Sequence, residues 1–76
     1  MTKLDLMREI KAAGLIRQLG KHADFVAVLE LIDHLESEGL VEDVLRHREF
    51  DSPRRRVDQV RVARLSRSGM TYLENQ

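Results

Sequence analysis

Leu35-Glu36-Ser37-Glu38-Gly39-Leu40-Val41 is the stretch from which the rest of the chain is read. Upstream of it, Phe25, Val28, Leu29, Ile32 and Leu35 recur at three- and four-residue steps, which makes one apolar stripe. The spacing predicts a helix over 24–38, with Asp24 as its N-cap. Gly39 takes the left-handed position just past its end, and Leu40 folds back onto the last turn. Downstream the pattern changes. Val44 to Phe50 mixes β-branched, aromatic and Arg residues, and Asp51-Ser52-Pro53 is a turn signal. Val57 to Leu65 then alternates, with Val60 and Val62 on one face and Gln59, Arg61 and Ala63 on the other. Two strands joined by an Arg-rich loop read as an antiparallel hairpin. Ser66 caps a final short helix whose Met70 and Leu73 face inward.

Working towards the N-terminus, Thr2 caps a first helix and Asp5 sits in its first turn. Leu4, Met7 and Ile10 follow helical spacing, Leu6, Ala13 and Leu15 widen that face, and Gly14 ends it. Leu15–Leu19 reads three ways: an extension of the first helix, a short second helix, or an extended segment. Gly20 breaks the pattern.

The 76 residues make one domain, 1–76, with a thin core, because a chain of this size buries roughly 60% of its unfolded surface. The longest apolar run, Phe25 to Leu29, is far short of the roughly 20 residues of a membrane span. Lys3, Asp5, Arg8 and Glu9 interrupt the start, so no signal peptide is expected and the expected compartment is cytoplasmic. The absence of Cys excludes disulfides and thiolate zinc sites. The formal net charge of zero hides an asymmetry. Residues 1–43 carry five Lys/Arg against nine Asp/Glu, whereas residues 44–76 carry eight Arg against four Asp/Glu. Such a dipolar distribution makes a directional electrostatic surface.

The string Leu35–Val41 resembles the end of the recognition helix in winged helix-turn-helix domains, where a Leu-Glu-x-x-Gly-Leu-Val/Ile pattern runs straight into the wing hairpin. The string Arg64-Leu65-Ser66-Arg67-Ser68-Gly69-Met70-Thr71-Tyr72-Leu73-Glu74 is similar to that family's closing Leu-Thr-x-x-Gly-x-x-x-Leu element. The resemblance covers residues 24–74. It implies an α+β winged helix-turn-helix fold with N-terminal helices, a two-stranded antiparallel wing hairpin and a short C-terminal helix. It also implies a small prokaryotic DNA-binding transcriptional regulator acting as a homodimer. In this chain the helix corresponding to the recognition helix is acidic: it carries Asp24, Glu30, Asp33, Glu36 and Glu38 and no Lys or Arg.

The arginines are the strongest candidates for function. Arg54, Arg55 and Arg56 fall at the expected hairpin tip, with Arg46, Arg48, Arg61, Arg64 and Arg67 on the strands and just after. The rigid guanidinium fork suits phosphate. These residues contact double-stranded DNA along its backbone or in the minor groove, or they pair with the acids of the first half. Val26 and Leu31 lie off the main stripe and, with Ala23 and Ala27, make the helix apolar round much of its circumference. They are the candidates for a dimer or partner interface, unless Leu15, Ile16 and Leu19 cover them. The alternative function is therefore a protein-interaction module using its acidic helix and these apolar residues. Glu30, His34 and Glu38 share a helix face, but no convergent ligand accompanies them, so no metal or other cofactor is expected. The Ser and His residues lack a catalytic context, and no Gly-rich phosphate loop occurs, so no enzyme is expected. Phe25, Phe50 and Tyr72 are expected to pack rather than to stack on bases.

Overall fold

The computed structural model describes residues 1–50, 53–54 and 56–76. Its elements run α1 (Lys3–Ala13), β1 (Leu15–Gln18), α2 (Phe25–Ser37), β2 (Val41–Arg48), β3 (Val57–Leu65) and α3 (Arg67–Glu74). The chain is thus α+β, with three helices and one antiparallel sheet in the order β1-β3-β2. The sheet has three strands rather than the two of the expected hairpin. Leu15–Gln18 is the extra one, which selects the extended reading of that segment. Residues 19–24 form turns, so no second helix lies between β1 and α2. Among the described residues no helix is long and apolar enough to cross a membrane.

Both helix starts with a side-chain cap follow from local chemistry. Thr2 and Asp5 form a reciprocal capping box: the Asp5 amide donates to Thr2 Oγ1 at 3.1 Å, and the Thr2 amide donates to Asp5 Oδ2 at 3.2 Å. These bonds to Thr2, with Arg8 a turn on, hold the Asp5 carboxyl below its usual range. Ser66 caps α3 by accepting the Gly69 amide at 3.0 Å. Asp24 differs from expectation. It makes no side-chain cap bond, because its carboxylate is drawn to the Arg17 guanidinium.

The two short motifs of the sequence meet in space. At the end of α2 the Leu40 amide donates to the Leu35 carbonyl at 2.9 Å and the Gly39 amide to the Glu36 carbonyl at 3.0 Å. Gly39 has φ +71°, so this is a Schellman stop, with Leu35 and Leu40 both buried beneath it. From the second motif, the Ser66 hydroxyl donates to the Gly39 carbonyl, and the Ser66 amide to the Leu40 carbonyl at 3.0 Å. Gly69 lies so close that a Cβ there would overlap the Leu40 carbonyl oxygen. The end of α2 and the start of α3 are therefore one interlocked unit.

The core lies between the helices and one face of the sheet. It is built from Leu6, Met7 and Ile10 of α1, Phe25, Val28, Ile32 and Leu35 of α2, and Leu15, Val41, Val60, Val62 and Leu65 of the sheet. Leu6 is central to the α1 face, whereas Ala13 is exposed. Across the sheet the core-facing rows read Leu15–Val62–Val44 and then Arg17–Val60–Arg46. Strand alternation slips at Asp43, a non-glycine residue at φ +55°. Beyond it the buried partners are Val41 and Leu65, three residues rather than two or four from Val44 and Val62.

Candidate functional site

The described arginines of the second half do not form one face. Arg46 points towards the core side of β2, where its Nη2 is 2.6 Å from Asp33 Oδ1 and 2.8 Å from Glu36 Oε1 of α2. Its side chain is only 22% exposed, and the bonds to Glu36 and Asp33 raise its pKa further. Arg17, on the other side of Val60, is clamped in the same way, between Glu9 at 2.9 Å and Asp24 at 3.2 Å. Two arginines thus flank the first buried residue of β3, Val60, each closed by two carboxylates from the helices or the cap of α2. Nothing local in the sequence marks Arg17 as a site residue, because only its place in β1, opposite Val60, turns it inward.

At the base of the hairpin Arg64 meets Glu42 at 3.1 Å and Asp43 at 2.8 Å. Arg67 is exposed in the first turn of α3. Arg61 is exposed on the outer sheet face, in register between Ile16 and Leu45, both of which are also exposed. Neither Arg61 nor Arg67 has an ion-pair partner among the described residues. Arg48, Arg54 and Arg56 gather at the hairpin end, all exposed. Arg55, Asp51 and Ser52 lie outside the described residues.

Among the described residues, three of the predicted arginines, Arg48, Arg54 and Arg56, lie at the hairpin end. β1 ends at Gln18, opposite Gln59, and the Leu19 amide makes a last bond to the Asp58 carbonyl at 2.8 Å. Beyond that the hairpin is a bare two-stranded ribbon. A register shift lies between His47 and Arg48. The Glu49 amide then donates to the Arg56 carbonyl at 2.8 Å, and Arg56 Nη2 reaches Glu49 Oε1 at 3.0 Å. An exposed pair of this kind contributes only about 0–1 kcal/mol and is screened by salt, so phosphate can displace it. Arg46 is different. Releasing it would strand two adjacent carboxylates, so it serves the fold.

Phe50 sits immediately past this closing pair and is 90% exposed. This corrects the expectation that it packs. Phe25 is buried, and Tyr72 is half-buried under the Lys3 ammonium, 4.7 Å from the ring centroid. Burying a Phe side chain stabilises a fold by about 1.5–3 kcal/mol. Phe50 forgoes nearly all of that, because a ribbon with no third strand has no apolar face to offer.

Most of the acidity of 24–38 is answered from elsewhere in the chain. Asp24 faces Arg17, Asp33 and Glu36 hold Arg46, and Glu38 takes the Lys3 ammonium at 2.9 Å. Glu30 and His34 remain on the exposed side of α2, with Val26, Ala27 and Ser37. No lysine or arginine of α2 itself faces solvent, because it has none. Val26 is 60% exposed, whereas Leu31 is half-buried against the core, so the apolar part of that surface narrows to Val26 and its Ala neighbours. No family model, curated protein or solved structure matches the chain.

Proposed function

We propose that the chain is a small winged-helix DNA-binding protein, a transcriptional regulator type, that engages duplex DNA through its wing rather than through a recognition helix. The order helix, strand, helix, hairpin, helix, with β1 beside β3, supports a winged-helix frame from which the helix before α2 has been trimmed. The observation that carries the functional reading is the hairpin end. A bare ribbon projects past β1 and presents Arg48, Arg54 and Arg56 together. Guanidiniums placed there neutralise phosphates and release counterions, which is the source of sequence-independent affinity. The exposed side of α2 offers no such cations, and its Glu30 would be repelled by a phosphate-lined groove. Arg46, half-buried between Asp33 and Glu36, and Arg64, at the hairpin base opposite Glu42, drop out of the proposed contact set.

Backbone amide NMR with a mixed-sequence duplex tests this reading. Shifts are expected at residues 47–57, with Val26, Glu30 and His34 unmoved. Shifts centred on α2 would replace the wing with helix docking, and no shifts at low salt would remove DNA from the account.

One observation favours a second reading, a protein-interaction module. Val26 stands exposed beside Ala27 on an otherwise polar helix face. A homodimer or another protein would cover it. Val26→Asp would then abolish self-association in sedimentation without touching DNA binding.

A further inference from the structure

We propose that Phe50 is an inserting side chain: it enters the base stack of a bound duplex while the arginines around it hold the flanking phosphates. The inference rests on the wing reading and adds how the DNA is held. Three features at one end of the molecule carry it.

Phe50 is 90% exposed at the first position beyond the last backbone bond between the two strands among the described residues, from Glu49 to Arg56. That backbone bond closes the base of the tip, so Phe50 is presented from a closed ribbon. Arg48 precedes it by two residues in the chain, and Arg54 and Arg56 follow it on the returning side, all three exposed. An apolar wedge between cations is the arrangement that unstacks a base step. The ring replaces a lost base–base contact, and the guanidiniums hold the phosphates on either side of the kink.

The shape of the molecule favours a groove over a flat lipid surface. The extents are 43 × 21 × 18 Å, and a single aromatic side chain stands at the hairpin end. One ring is a small anchor for a bilayer, which needs a broad basic or apolar area, and the formal net charge of the chain is zero. A single ring is what a wedge requires.

A step that is already open is cheaper to enter, so the wedge confers a preference for damaged or unpaired positions. The experiment measures binding by fluorescence anisotropy to a matched duplex and to the same duplex with one central mismatch, with 2-aminopurine beside the mismatch. The wild-type chain is expected to bind the mismatched duplex about tenfold more tightly and to raise the 2-aminopurine signal. Phe50→Ala is expected to lose both the preference and the signal while keeping the salt dependence, and Phe50→Trp to retain all three. Since the ring is 90% exposed, thermal melts of Phe50→Ala should match wild type. If wild type binds both duplexes equally with a normal salt dependence, or Phe50→Ala keeps the preference, the wedge is overturned and the wing reading stands. If no duplex binds at about 50 mM salt, the wing reading and the wedge fall together. Phe50-dependent binding to phosphatidylserine vesicles without duplex binding would assign the tip to lipid and overturn the proposal.

Discussion

Gly69→Ala is expected to destabilise the chain by about 3 kcal/mol, the upper end of what overpacking costs. Propensity alone argues the opposite, since Gly69 is inside α3 and alanine is favoured there by about 1 kcal/mol. The steric effect wins because the added Cβ would overlap the Leu40 carbonyl oxygen and lie 3.0 Å from its carbon. That carbonyl cannot step aside. It accepts the Ser66 amide at 3.0 Å, and Leu40 is pinned by its own bond to Leu35. Relief comes only from lifting α3, which would uncover Met70, Tyr72 and Leu73. For 76 residues a total stability of about 4–11 kcal/mol is ordinary, so the loss is large. Gly39→Ala is the control. Its Cβ would meet nothing within 4 Å, so only the φ of +71° resists, at about 1–2 kcal/mol. Urea midpoints with unchanged slope measure both. A Gly69→Ala midpoint at or above that of Gly39→Ala would show that the interlock is looser than described.

The double variant Arg54→Ala/Arg56→Ala is expected to weaken duplex binding about equally on all sequences. The log–log salt slope should fall by about two units, one for each lost phosphate contact. The fold should be untouched, since both residues are exposed at the hairpin end and the Arg56–Glu49 pair is weak. Arg64→Ala, by contrast, should leave the slope unchanged, because Arg64 lies at the base of the hairpin, opposite Glu42 and away from the tip. Equal slopes for the double variant and wild type would remove the wing from the contact surface.

The parts legible in the sequence are those fixed by neighbours in the chain. The α2 stripe, its stop at Gly39 and the Ser66 cap each depend on residues within one or two turns. The strand at Leu15–Gln18 was open to three readings because four residues show no period. Its conformation is set by pairing with residues 59–62, some forty positions later. Asp24 carries the right residue type for a cap, but Arg17, seven residues upstream in β1, outcompetes the local amides. The first hairpin strand begins at Val41 rather than Val44 because Val41 pairs with Leu65 across the slip at Asp43.

The candidate site was legible as composition and not as geometry. A run of arginines shows charge, but only the sheet register reveals that Arg46 turns in and Arg61 turns out. The same holds for acidity. The five carboxylates of 24–38 read as a surface, and four of them proved to be the partners of Arg17, Arg46 and Lys3. Phe50 was missed because aromatic residues in strands usually have a face to pack on. The signal was its place one residue before a turn signal, in a hairpin longer than any strand available to cover it.

The most direct test of wing-mediated binding is titration of a labelled mixed-sequence duplex at about 50 mM and about 200 mM salt. Three to five phosphate contacts at the hairpin end give a log–log slope of about −3 to −5, and that is the expected result. No binding at the lower salt, or binding with a slope near zero, would contradict it and turn the search to a protein partner for the Val26 face of α2.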